Sequence, residues 1–387
     1  MLIIMFAVFF SSLIVVCISI KKIIYIAKKC HLFDDPKEIR KVHLDKTPNL
    51  GGVAIYTTIL LTTSIFTSYY HIQEINYIFV ATVIIFTLGL TDDLVGVAPH
   101  KKFLAQFLAA FTVTVIANIR FTSFYGIFGI GEIPYAVSLV LTMLFIIFLI
   151  NAFNLIDGVN CLAGSIALMT NIVFAVCFWK MQQYGLMLLS ISISGALTGF
   201  LYFNKTPAKI FMGDTGSLTL GLIISVFSIF FIESNNALTM LNSKPTFLSA
   251  PVIVLGLLII PIFDALRVFT LRIISNKSPF YADRNHIHHR LLNFNFTHLQ
   301  VTGILSLVNI IFITIVFSLN NLGNETVLLI IVALTLFLNF TSWLILKMKN
   351  NKAEKPRNSS KNLDIEMITP QAKESDDWKL FGIKVDI

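Results

Sequence analysis

The chain has 387 residues, 56% of them hydrophobic and only 13% charged, with a net charge of +8 at pH 7. Soluble globular chains carry about 25% charged residues, so a mean hydropathy of +0.81 excludes a wholly water-facing surface. The 35 Phe suit lipid-facing helices, and Cys17, Cys30, Cys161 and Cys177 form no CxxC or Cys/His ligand pattern, so they read as free thiols.

A membrane-crossing helix needs about 20 apolar residues. Eleven such runs are predicted, at about 2–20, 51–69, 77–91, 103–119, 134–151, 162–179, 185–203, 217–232, 248–271, 299–319 and 326–346. The first lacks a basic leader and a cleavage site and runs into Lys21 and Lys22, so it reads as a retained helix. The expected fold is all-α, a polytopic membrane bundle of about 11 transmembrane helices over 1–349, followed by a polar, disordered tail over 350–387. Of the 29 Lys and Arg, 25 fall in the odd-numbered loops and the tail, 3 in the even-numbered loops and one, Arg267, near the end of the ninth run. The positive-inside rule then puts the N-terminus outside and the C-terminus and odd loops in the cytoplasm.

The unusual sequence lies in those odd loops. They read RKVHLDKTPNLGG (Arg40–Gly52), TDDLVGVAPHKK (Thr91–Lys102), NAFNLIDGVNCLAGS (Asn151–Ser165), FMGDTGSL (Phe211–Leu218) and ADRNHIHHRLL (Ala282–Leu292). Asp92, Asp93, Asp157 and Asp214, with the carboxamides Asn151 and Asn154, are hard oxygen donors of the kind that hold Mg²⁺ or Mn²⁺ together with substrate phosphates. Lys101, Lys102, Arg284, His286, His288 and His289 supply donors for phosphate oxygens. GDTGS opens a helix whose free N–H groups suit an anion, and no GxxxxGK[ST] is present. Each feature has a plainer reading. Asp214 is a possible helix cap, Asp157-Gly158 a turn, Asp92-Asp93 a solvated helix end, HIHH an incidental polar stretch and Gly51-Gly52 a packing feature. Asp264 and Arg267 in PIFDALR read equally as a structural i,i+3 pair or as functional intramembrane charges. Five plain loops on one face are less probable than one site for phosphoryl transfer to or from a lipid. The other classes left open are a transporter of a lipid-linked or anionic solute and an inactive scaffold paralogue.

These motifs together resemble the polyprenyl-phosphate N-acetylhexosamine-1-phosphate transferases over roughly residues 1–346. RKVH…PNLGG and DRNHIHHRLL are similar to loops of the bacterial undecaprenyl-phosphate GlcNAc-1-phosphate transferases. The resemblance implies transfer of HexNAc-1-phosphate from a UDP-sugar to polyprenyl phosphate, with release of UMP, as the first step of a cell-surface polysaccharide. It implies a multi-pass protein of the bacterial plasma membrane with a cytoplasmic site, often dimeric, with no nucleic-acid partner. By position it implies Asp214 and Asn154 as Mg²⁺ ligands (Mn²⁺ in its place). It implies Asp92, Asp93, Asp157, His286, His288 and His289 as catalytic, and His43, Lys102, Asn151, Asn160 and Arg284 as substrate-binding. The chain departs from the common DGxDGLA pattern at Asn160 and Cys161. Asp92 and Asp93 project about 100° apart on a helix, so one of them, Asp92, is expected to act on the lipid phosphate and the other to support it.

Reporter fusions after Asn204 and Asn242 test the orientation. They should score inside and outside respectively, and the same side for both would contradict the eleven-run topology.

Overall fold

The computed structural model describes residues 1–30, 32, 47–66, 74–240, 247–276 and 286–353. His43, Arg284 and the tail beyond 353 lie outside the described residues. Two compact units are distinguished, Met1–Leu336 and Phe337–Ile387. Apart from one isolated bridge, Ser123 to Glu132, all regular structure among the described residues is helical.

The helices are α1 (Leu2–Cys30), α2 (Gly51–Phe66), α3 (Ile75–Val95), α4 (Pro99–Phe111), α5 (Tyr135–Ile156), α6 (Leu162–Lys180) and α7 (Tyr184–Asn204). They continue as α8 (Gly213–Met240), α9 (Ala250–Leu257), α10 (Ile259–Ile274), α11 (Ile287–Leu292), α12 (His298–Ser318) and α13 (Asn324–Ala353). The described part of each predicted apolar run is largely helical, the ninth being shared between α9 and α10. Among the described residues eight helices are long and apolar enough to cross a membrane, or nine if α9 and α10 count as one bent span. Two runs fall short of that test. α2 has only 16 residues. α4 begins with Pro99, a favoured first helical position, and carries His100, Lys101, Lys102 and Gln106 before passing into a π turn at Thr112–Ile116.

The run at 248–271 is broken rather than continuous, with a 77° bend between α9 and α10. Pro261 explains it, because its ring lacks the N–H that would bond the carbonyl of Leu257 and clashes with that carbonyl. α10 thereby leaves the direction of α9, and this sets the position of Asp264.

α8 is the central helix. Within its apolar window 94% of residues are buried, against 22% for α1. α2, α3, α5, α6 and α9 all pack against it. Its Ser225 and Ser228 hydroxyls donate to the α8 carbonyls of Leu222 and Ile224 at 2.7 Å, which satisfies them without a neighbour. Phe174 and Phe178 of α6 meet Phe227 edge-on at 6.0 and 5.6 Å. At the far end of α8, Glu233 accepts from the Thr122 N–H and hydroxyl, both at 2.8 Å, and from the Tyr125 hydroxyl. This pins the α4–α5 connection over that end.

Lipid gives no hydrophobic drive to helix association, so close packing at small residues carries it. α7 meets α1 through Gly195 and Gly199, a GxxxG pair. A Cβ on Gly195 would lie 2.4 Å from the Phe9 carbonyl oxygen, and one on Gly199 2.3 Å from Val16 Cγ1. Gly195→Leu should therefore separate α1 from α7 and cost about 1–3 kcal/mol, read as a lowered unfolding temperature in detergent. An unchanged transition would show that α1 docks by another surface.

Candidate active site

The site is organised by the first turn of α8. Pro48 O accepts from Phe211 N at 2.9 Å, while Gly51 N and Gly52 N donate to the Phe211 and Met212 carbonyls at 2.9 and 2.8 Å. The chain then turns at Gly213, whose φ of +72° suits glycine. Asp93, in the last turn of α3, caps the new helix from outside it. Its Oδ1 accepts from Asp214 N at 2.8 Å, and its Oδ2 from Thr215 N at 2.9 Å and the Thr215 hydroxyl at 2.5 Å. The approach requires bare backbone: a Cβ on Gly52 would meet Gly216 N at 2.1 Å, and one on Gly89 would meet Thr215 Cα at 2.5 Å. Gly51-Gly52 is thus a packing feature, and one that positions Asp214.

Asp214 projects into a cluster of charges. Its Oδ1 accepts from Asn154 Nδ2 at 2.8 Å and its Oδ2 from Lys102 Nζ at 3.0 Å. The same Lys102 Nζ lies 2.5 Å from Asp92 Oδ2. Asp92 Oδ1 accepts from Val97 N at 2.7 Å, which steadies the chain after α3. Two carboxylates therefore converge on one ammonium, and all three side chains keep some exposure, at 15% to 30%. Asn154 Nδ2 also donates to Ser217 Oγ at 3.1 Å, a contact the sequence signalled only as part of GDTGS. Asp157 follows the end of α5. Burial, together with the charges of Asp214 and Asp93, raises its carboxyl well above the usual range, so it belongs to the same electrostatic cluster. Among the described residues no three His, Cys, Asp or Glu converge closely enough to enclose a metal ion. Asp92, Asp214 and the Asn154 amide are instead a donor set that fits a Mg²⁺ completed by phosphate oxygens.

The HIHH segment meets the turn at Asp157-Gly158. The His288 ring sits against Gly158, where a Cβ would lie 2.7 Å from its Nε2. His286 and His288 stack at 5.5 Å with 8° between planes, and His289 lies 4.4 Å from His288. Burial, followed by the neighbouring His289, lowers the His288 imidazole to about 3, so it is neutral at physiological pH. Its Nδ1 is buried without a hydrogen-bond partner.

Two expected substrate contacts are engaged with the protein itself. Asn151 forms a paired amide contact with Gln106, at 2.8 and 3.3 Å, that ties α5 to α4. Asn160 is buried. Its Nδ2 donates to Thr206 Oγ1 at 2.9 Å and its carbonyl accepts from Thr302 at 2.7 Å, so it joins the loop to α12. Cys161, the other departure from the common pattern, has φ +66°, the conformation that makes glycine usual there. The Cys161 N–H donates to Asn204 Oδ1 at 2.6 Å.

Because the folded chain holds His288 neutral, the unfolded chain binds the extra proton between about pH 6.5 and 3, and stability falls as pH drops through that window. In His288→Gln the decline below pH 6.5 should be shallower, by up to about 1.4 kcal/mol per pH unit, as measured by denaturation at pH 7 and pH 5. Parallel curves for the two proteins would mean that His288 is not held neutral.

A family model described as glycosyl transferase family 4 matches residues 75–232, the stretch from α3 to α8 that carries Asp92, Asp93, Lys102, Asn154, Asp157 and Asp214. The chain is 33% identical to the probable undecaprenyl-phosphate N-acetylglucosaminyl 1-phosphate transferase of Bacillus subtilis strain 168, over 79% of this chain and 82% of that one. It is 30% identical to the decaprenyl-phosphate N-acetylglucosaminephosphotransferase of Mycobacterium tuberculosis H37Rv, over 70% and 72%. It is 27% identical to the undecaprenyl-phosphate alpha-N-acetylglucosaminyl 1-phosphate transferase of Escherichia coli K12, over 81% and 84%. With the charged cluster and the long apolar helices around it, these similarities make the chain a multi-pass membrane protein that belongs to glycosyl transferase family 4.

Proposed function

We propose that this protein transfers N-acetylglucosamine-1-phosphate from UDP-GlcNAc to polyprenyl phosphate, undecaprenyl phosphate in bacteria, and releases UMP. The observation that carries the reading is the convergence of Asp92 and Asp214 on Lys102 at the N-terminal turn of α8. The names of the relatives supply the substrate class. In the reaction a lipid phosphate oxygen attacks the sugar-linked phosphorus, and the bond from that phosphorus to the bridging oxygen breaks, so that UMP leaves.

The residues divide the work by position. Lys102 can exchange its carboxylate contacts for phosphate oxygens, as a charge-assisted donor. Asp92, partly open, would orient or deprotonate the attacking phosphate. Asp93 is committed to the α8 N–H groups and acts through Asp214. Asp214, Asp92 and Asn154 would hold Mg²⁺ or Mn²⁺. That ion would offset the negative charge of the diphosphate, the usual contribution of a metal to phosphoryl transfer. His286, His288 and His289 would face the UDP-sugar. The excess of Lys and Arg in the odd-numbered loops supports a site on the cytoplasmic face of the plasma membrane.

Exchange of labelled UMP into UDP-GlcNAc by the detergent-purified protein tests the reading. Exchange should require both polyprenyl phosphate and Mg²⁺, and Asp214→Asn should remove it while leaving the unfolding temperature close to the parent. Exchange without added lipid, or full turnover by Asp214→Asn, would contradict the assignment. Asp92→Asn should lower kcat at unchanged stability, whereas Asp93→Asn should lower both, because it strips a carboxylate from three donors worth about 1.5–3 kcal/mol each. Equal and mild effects in the two variants would return Asp92 to a solvated helix end.

A further inference from the structure

Asp264 is a carboxylate inside a broken membrane helix. It is only 1% exposed, and such a group is retained only when well paired. Its partners come from a segment 22 residues further along the chain. Oδ2 lies 2.9 Å from His286 Nδ1 and Oδ1 accepts from Ile287 N at 2.8 Å. Arg267, one turn along α10, is 3.9 Å from Oδ1. The 77° bend at Leu258 is what brings this face of α10 to the HIHH loop. From there the contacts run without interruption: His286 stacks on His288, and His288 rests on Gly158, beside Asp157.

We propose that Asp264 is a positioning residue for the transfer reaction, which fixes the proton of His286 on Nδ1 and holds the HIHH segment against the Asp157-Gly158 turn. The inference rests on the proposed transferase function and adds a residue outside the motif loops to it. The chemistry is that of a carboxylate orienting an imidazole. The acceptor on one ring nitrogen decides which face of the ring carries the lone pair, and a correctly placed ring on the wrong tautomer loses its function. A carboxylate serves both donors at once, since each oxygen has its own partner. A carboxamide cannot. In Asp264→Asn the amide oxygen can still accept from Ile287 N, but its NH₂ group then faces His286 Nδ1 and favours the tautomer with the proton on Nε2. A role confined to capping α11 would survive that exchange, and a role in holding the His286 proton would not. The other charged and titratable groups around this ring are Arg267 on α10 and His288, His289 and Arg290 on α11.

The test has two independent readings. Nitrogen-15 spectra of the [¹⁵N]histidine-labelled protein, with its eight His and His286→Gln for assignment, should show His286 protonated on Nδ1 in the parent and on Nε2 in Asp264→Asn. In UMP exchange, Asp264→Asn should lose on the order of 100-fold in kcat, the scale on which a misplaced positioning group acts on the reacting geometry. KM for UDP-GlcNAc and for polyprenyl phosphate should stay within about threefold, with the unfolding temperature close to the parent. A His286 ring bare at Nδ1 in the parent, or kcat within twofold of the parent in Asp264→Asn, would overturn the proposal. If Asp264→Asn fails to fold, the parent spectrum still decides. Absence of exchange in the parent itself would instead sink the transferase reading, and the tautomer measurement does not depend on that outcome.

Discussion

The structure depends on how the N-terminus of α8 is buried. A helix start leaves backbone N–H groups without intrahelical partners, and inside an apolar bundle each unmet donor costs of order 1–3 kcal/mol. Asp93 meets two of them and the Thr215 hydroxyl besides. It does so from α3, so the cap is also a tertiary bond. The cost is strict sterics. The turn fits only because Gly52, Gly89 and Gly213 present no Cβ where Gly216, Thr215 and Asp93 lie. With the turn held, Asp214 meets Lys102 and Asn154, and Lys102 carries the contact on to Asp92.

The same device appears a second time. Asp264 accepts from Ile287 N at the start of α11, again from a different helix, and again the segment so fixed carries the polar motif. Each buried carboxylate pins a short polar segment to a rigid membrane helix. Sites on well-supported elements hold their geometry better than sites on free loops. The Asn151–Gln106 and Asn160–Thr206 contacts extend the logic with neutral groups.

Much of this was legible in the sequence for a physical reason. Membrane helices announce themselves by apolar length, so the described parts of the apolar runs are largely helical, and described residues of the odd-loop motifs, Asp92, Lys102, Asn154 and Asp214, lie together. The bend at Leu258 was less visible, because proline within a membrane run, here Pro261, is common and its consequence depends on neighbours. The division of labour between Asp92 and Asp93 was visible as a 100° difference in direction, but which one meets the α8 N-terminus is a matter of packing. The resemblance alone implies Asn151 and Asn160 as substrate contacts, and the structure adds protein partners for both. The partners that occupy them, Gln106, Thr206 and Thr302, lie far away in sequence and carry no motif. Asp264 was weighed as a pair with its i,i+3 neighbour Arg267, whereas its short contacts are to His286 and Ile287.

The proposed function depends on Asp214, in the first turn of α8, and Asp92, near the end of α3, converging where a divalent cation would be completed by substrate phosphate. Electron paramagnetic resonance of Mn²⁺ added to the purified protein tests it without turnover. The bound-ion signal should be weak with Mn²⁺ alone, should rise sharply when UMP is added, and should be lost in Asp214→Asn. Equal Mn²⁺ binding by the parent and Asp214→Asn, with and without UMP, would contradict the account.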